Sequence, residues 1–274
     1  MTLLIDDALM TAQITIPLRE GWVEPDVAVA TRPALVAADV GPGDVALLAG
    51  PEATLLGQTH VVHPEVAVVA EAISAIAMRT PVRPDQVEET PIRLLDAGPT
   101  AEVLVRALLR PHFGITATSF ARGDGDEGAA EAQVVVVDGL LGLTEPEAGV
   151  QEDLARAWFV LTGQAVVHHV LVAGVEAEVQ GIEAEIEVLK RAIAVGQERR
   201  RDVRRILVDA GDLPVDRERL AALTNRIRYT LTEADRRSLR ELLSRGTWGT
   251  GYRRTLPAFA DEVARHGRKP PAGE

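Results

Sequence analysis

LLDAGPTAEVLVRALLR, residues 94–110, is the stretch from which the fold can be read. Leu94 and Leu95 close an apolar strand that ends in Asp96, and Gly98-Pro99-Thr100 turns the chain. Val103, Leu104, Ala107 and Leu108 then share one face of a helix. Thr100 stands where an N-cap belongs, so the free backbone N–H groups and the positive end of the helix face the turn. Such a turn suits a carboxylate or phosphate, although most corners of this kind only cap a helix.

Outward from this corner, strands alternate with helices. The short apolar runs 45–49 (VALLA) and 133–138 (QVVVVD) are of the buried, parallel-sheet kind, and 66–78 is a longer one. Residues 11–18 (TAQITIPL) and 26–30 (DVAVA) read as short strands, with Thr31 capping a helix that carries Pro33 in its first turn. GPGD at 41–44 is a turn. ARGDGDEGAAEA at 121–132 is a polar loop with neither GxxxxGK[ST] nor GxGxxG. The alternation predicts an α/β fold with mostly parallel sheets.

The final third is helical. Ile182, Ile186, Leu189 and Ile193 recur on one face of a helix of about six turns, continued by the basic run 199–205 (RRRDVRR). Asp216 caps the next helix, which contains Leu220, Leu223 and Ile227. Thr232 and Asp235 form a capping box for a last helix ending near Ser244, with Gly246 as its C-cap. A loose helix is expected after Leu256, and disorder over the closing GRKPPAGE.

Composition narrows the class. The chain has 274 residues, 46% hydrophobic and 26% charged, with a net charge of −12 and no cysteine. That length favours two lobes over one. Disulfides, thiolate catalysis and zinc–thiolate sites are excluded. The acidic balance argues against a nucleic-acid surface and makes RRRDVRR a solvated helix end. MTLLIDDALM lacks a basic segment before its apolar residues, and no stretch approaches the about 20 apolar residues of a membrane span. A cytoplasmic protein without membrane contact is therefore expected.

Side chains that could carry chemistry are few. His60 and His63 form an HxxH pair with no evident third ligand, so no metal site is expected. His168 and His169 lie in VVHHVLVA, where strand alternation sends one to each face. Each reads either as a satisfied buried imidazole or as a ligand or acid–base group. Trp158, in DLARAWFVLTG, reads as helix packing.

The order of blocks along the chain says more. DVALLAGPE (44–52), EAISAIAM (71–78), LLDAGPT (94–100), VVVVDGLL (134–141), DLARAWFVLTGQAVVHHVLVAG (153–174) and NRIRYTLTEADRRSLREL (225–242) follow one another in a fixed series. In that series the chain resembles the chorismate dehydratase family of the futalosine route to menaquinone, related to type II periplasmic-binding-protein folds. The resemblance implies an α/β fold of two lobes with a helical C-terminal segment. The first lobe would hold 1–74 and 170–274 and the second 75–169, joined by crossover strands near 72–78 and 165–172, with a ligand cleft between them.

The resemblance also implies a reaction, the loss of water from chorismate to give 3-enolpyruvyl-benzoate, with no metal or organic cofactor. The partner would be a small carboxylate-bearing molecule, and a homodimer is allowed for. Carried over residue by residue, Asp138 and Ser74 would be catalytic. Thr15, Glu52, Gly98, Thr100, Thr162, Gly163 and His168 would bind substrate, and Tyr229 matches the tyrosine of the family's RYxL block. Departures fall at Ile14, Gly50 and Ala101, where the family pattern has asparagine, serine and serine. An apolar wall, LPFVFAVW, reads QAVVHHVL here. Each lost hydrogen bond to a charged substrate group removes about 1.5–3 kcal/mol. A non-catalytic cleft protein that binds a small carboxylate therefore stands beside the lyase reading.

Overall fold

In the computed structural model, residues 1–123, 130–210 and 213–266 are described. The expectations for the centre of the polar loop and for GRKPPAGE lie outside them. The chain begins with β1 (Leu3–Asp6), α1 (Ala12–Arg19), β2 (Val29–Arg32), β3 (Val45–Ala49), α2 (Gly50–Leu56) and β4 (His60–Ala70). Its middle contains β5 (Ala77–Thr80), β6 (Glu89–Leu95), α3 (Pro99–Leu108), β7 (Thr116–Ala121), β8 (Val134–Val137), α4 (Gly139–Gly142), β9 (Val150–Asp153) and α5 (Leu154–Thr162). The rest is β10 (Val166–Gly174), α6 (Val175–Gln180), α7 (Glu183–Glu198), α8 (Arg200–Asp209), α9 (Arg217–Arg226), β11 (Ile227–Arg228), α10 (Glu233–Gly246) and α11 (Ala260–His266).

Two mixed sheets result, ordered β11-β4-β10-β3-β1-β2 and β7-β6-β8-β5-β9. In the first, β1 runs parallel to β2 and β3, while β10 lies antiparallel between β3 and β4. In the second, β6 runs parallel to β7 and β8. All of β3 and β10 is buried, as expected of central strands whose side chains pack on both faces.

Several local expectations are corrected. Residues 11–18 form α1, not a strand: the Ile14/Ile16 alternation mimics a strand, but every side from Ala12 to Pro17 is buried. Gln13 is satisfied there by Thr224 O and the Tyr229 hydroxyl. Thr31 lies in β2, and only a short 3₁₀ turn at Ala37–Asp39 follows. Thr100 is not the N-cap of α3: Gly98 takes that place, Pro99 the first helical position, and no side chain caps. The long amphipathic helix breaks at Arg199 into α7 and α8. Gly246 is the last residue of α10 and not its C-cap, which is Thr247; a Cβ at Gly246 would meet Val103 O at 2.0 Å. The caps expected at Asp216 and Thr232–Asp235 are present.

The connections between the sheets differ from the expected pair of crossover strands. All of β10 belongs to the first sheet, so the boundary expected at 169/170 falls within it. The chain crosses at 71–76, overlapping the first expected stretch, where Ala72 has φ +49°, and between α5 and β10. Asp153 fastens the first crossing: it accepts the Ser74 amide at 2.9 Å and hydroxyl at 3.2 Å, and also caps α5 through Ala155 and Arg156 N–H. Two of these losses, the cap and the orphaned Ser74 amide, set the cost of Asp153→Ala at about 2–4 kcal/mol, against about 1 kcal/mol for Ser74→Ala. Urea midpoints measure both; equal small losses would mean that the crossing is not held this way.

Candidate functional site

Three strands reach the same edge with an aspartate at or just past their C-terminal ends: LLID in β1, LLD after β6 and VVVVD after β8. In open α/β sheets that edge is where ligands bind. Asp6, Asp96 and Asp138 all border a cavity of about 240 Å³, together with Gly98, Thr100, His168 and His169. Both sheets contribute, so the cavity lies between the lobes. It adjoins an opening of about 420 Å³ that shares Ala8, Leu9, Asp96, Asp138 and Gly139 and adds Asp7, Thr15 and Arg19. Two non-glycine residues in the left-handed region, Ala34 (φ +53°) and Asp96 (φ +51°), line the cavity, where backbone strain often accompanies function.

The two histidines reach the cavity together because β10 bulges. Val167 pairs with Val69 and His169 with Val68, so His168 has no partner residue on β4. The extra residue breaks the alternation that would have sent one imidazole to the far face, and both line the cavity. The His168 carbonyl accepts the Thr100 hydroxyl at 3.1 Å, tying β10 to the start of α3. His169 Nε2 lies 2.9 Å from Asp6 Oδ2, and the other Asp6 oxygen accepts Leu35 N–H at 3.1 Å.

The electrostatics follow from enclosure. Burial pushes the Asp138 carboxyl up to about 6, against the N–H groups of Gly139 (2.6 Å) and Gly98 (3.4 Å), which favour its ionised form. Nearby His169 also favours ionisation, and Asp6 opposes it. Burial, with help from His169, pushes the His168 imidazole down to about 3, so it is neutral at physiological pH. His168 Nε2 and His169 Nδ1 are buried without a hydrogen-bond partner among the described residues. The Asp138 turn is held from behind by Arg79, which donates to Leu141 O at 2.8 Å and Thr144 O at 2.9 Å.

Asp138, Thr100, Gly98 and His168 thus meet in one cavity, and Thr15 lies in the adjoining opening with its hydroxyl on Asp7 at 2.8 Å. Ser74 is fully buried against Asp153 and lies outside both spaces. Glu52 faces away from the cavity: it accepts Ala37 N–H at 2.8 Å and the Tyr252 hydroxyl at 3.1 Å and lines a separate depression with Arg106. The Thr162 hydroxyl returns to Trp158 O at 2.7 Å and Gly163, at φ +70°, closes α5, so this pair ends a helix. Tyr229 is buried with its hydroxyl on Gln13 at 2.6 Å, and burial raises its phenol well above the usual range.

Trp158 packs as expected and donates to Ser238 at 3.1 Å. His60 bonds Thr59 and Gly41 O, and His63 pairs with Glu178 at 2.6 Å. Among the described residues no group of three His, Asp or Glu side chains is placed to hold a metal ion. Nor is any helix long and apolar enough to cross a membrane. The residue that sequence reasoning missed is Asp6, and sequence alone leaves His169 between a core and a site role. LLID carried the same apolar-strand-then-acid signature as the two strands that were recognised.

Two lobes with a strand-edge cavity between them define a protein of the periplasmic-binding-protein fold class, and solved structures agree. The protein AF1704 from Archaeoglobus fulgidus has a TM-score of 0.62 at 12% identity, with 89% of this chain and 95% of that one covered. The zinc-bound ligand-binding component of an ABC-type import system from Staphylococcus aureus gives 0.59 at 12% identity, covering 98% and 99%. The Candida albicans CA3427 gene product, described as having the generic periplasmic binding protein fold, gives 0.57 at 9% identity, covering 91% of each chain. Identities this low speak for the fold alone. No curated protein matches. The chain belongs to the menaquinone biosynthesis family, whose pattern it matches over residues 56–247.

The Asp138 environment has a thermodynamic consequence. A carboxyl whose pKa is higher folded than unfolded favours the protonated state, so its ionisation opposes folding. Between pH 4 and 6 the wild type should lose up to about 3 kcal/mol relative to Asp138→Asn, and the difference should level off above pH 6. Urea denaturation of both proteins across pH 3.5–7.5 measures this. A constant difference would place Asp138 in open water.

Proposed function

We propose that this menaquinone-biosynthesis protein is a lyase that removes water from a small carboxylate-bearing ring compound held between its lobes. Chorismate, giving 3-enolpyruvyl-benzoate, is the substrate that the sequence resemblance implies. The observation that carries the reading is the meeting of two unlike acid–base systems in one cavity: Asp138, at about 6, and the Asp6–His169 pair. Elimination needs both. With Nε2 directed at Asp6, His169 offers the Nδ1 lone pair to take a ring proton. The electrons left by that proton form the new double bond as the carbon–oxygen bond breaks, and protonated Asp138 supplies the proton that turns the departing hydroxyl into water. The first N–H groups of α3, beside Thr100, suit the substrate carboxylate.

One observation favours a second reading. Asp6, Asp7, Asp96 and Asp138 border these spaces, and the lining cation among the described residues is Arg19, which is bonded to Asp7 at 3.3 Å. A dianion would enter an acidic cleft. That supports a non-catalytic protein that binds a small carboxylate of lower charge.

Incubation of the protein with chorismate, followed by chromatography, separates the two. The lyase reading expects 3-enolpyruvyl-benzoate, with turnover reduced about 100-fold in Asp138→Asn. A thermal shift by chorismate without product favours the binding reading; absence of both sinks the lyase.

A further inference from the structure

We propose that His168 is the specificity residue of this cleft and that it selects ligands carrying a hydroxyl group on the ring. The proposal rests on the cleft being a site for a small ring carboxylate and adds what the ring must bear. The β10 bulge gives His168 no residue to pair with on β4 and sets it against the cavity, 2% exposed and with Nε2 unpartnered among the described residues. Its neighbours explain why no protein group completes it. Thr100 spends its hydroxyl on the His168 carbonyl, Asp6 is taken by His169 and Leu35, and Asp138 by Gly139 and Gly98.

A buried nitrogen left without a partner is costly, so a ligand that supplies one gains affinity over an analogue that does not. A hydroxyl fits best. It both donates and accepts, so it pairs with Nε2 in either tautomer of the neutral imidazole. A second carboxylate would instead add negative charge beside Asp6 and Asp138.

The test uses two probes that share a ring and a carboxylate. Shikimate carries ring hydroxyls, and cyclohex-1-ene-1-carboxylate has none. Titration calorimetry of the full chain should give about tenfold or more tighter binding of shikimate. His168→Gln, whose amide nitrogen can stand near Nε2, should keep that preference. His168→Phe should reduce it to about twofold or less, with a wild-type circular dichroism spectrum showing that the variant is folded. Equal binding of both probes by the wild type, or an unreduced preference in His168→Phe, overturns the proposal. If the wild type binds neither probe and not chorismate, the ring-carboxylate reading itself has failed and the proposal falls with it.

Discussion

The site depends on one extra residue in β10. This strand lies antiparallel between β3 and β4 and is buried along its whole length, so its register is fixed from both sides. The unpaired residue must therefore be absorbed locally, and it is absorbed at His168. Without the bulge the two imidazoles would face opposite sides of the sheet, and His169 could not reach Asp6 while His168 bordered the same cavity. The bulge also sets the His168 carbonyl where Thr100 can donate to it, so a defect in the first sheet becomes a contact with the second lobe.

The helix α10 makes that arrangement cooperative. Leu239 and Leu243 of α10 belong to the core beside β3 and β10, while Leu242 belongs to the core of the second lobe. Ser238 relays between them, accepting from Trp158 of α5 and donating to Ala165 O just before β10. Gly246 lets α10 lie directly on the backbone of α3. The lobes are thus connected by more than the two chain crossings.

Much of the fold was legible because its signals are local. Apolar runs ending in acids marked β6 and β8, and the side-chain spacing of Asp216 and of Thr232 with Asp235 marked two helix starts. What failed was non-local. α1 read as a strand because its polar residues are satisfied by partners far away, Thr224 and Tyr229, which no window of sequence reveals. For the site, Asp138, Gly98, Thr100 and His168 border one cavity, whereas Ser74, Glu52, Thr162 and Gly163 make structural contacts outside it. A matching block places a residue on the right element without fixing the direction of its side chain. Bulges carry no signature either, so His169 stayed undecided.

The acids of the cleft make sense as a graded set. Asp6 lies 2.9 Å from His169 Nε2 with one oxygen and accepts Leu35 N–H at 3.1 Å with the other, so both of its oxygens have a partner. Asp138 has only two amides and lies close enough to Asp6 to feel its charge, and its carboxyl rises accordingly. Two equivalent carboxylates in one small cavity would repel each other, and neither would do work that the other could not. Giving the imidazole to one of them makes their surroundings unlike. In the lyase proposed for this cleft, that difference leaves Asp138 to carry a proton while Asp6 orients the His169 imidazole.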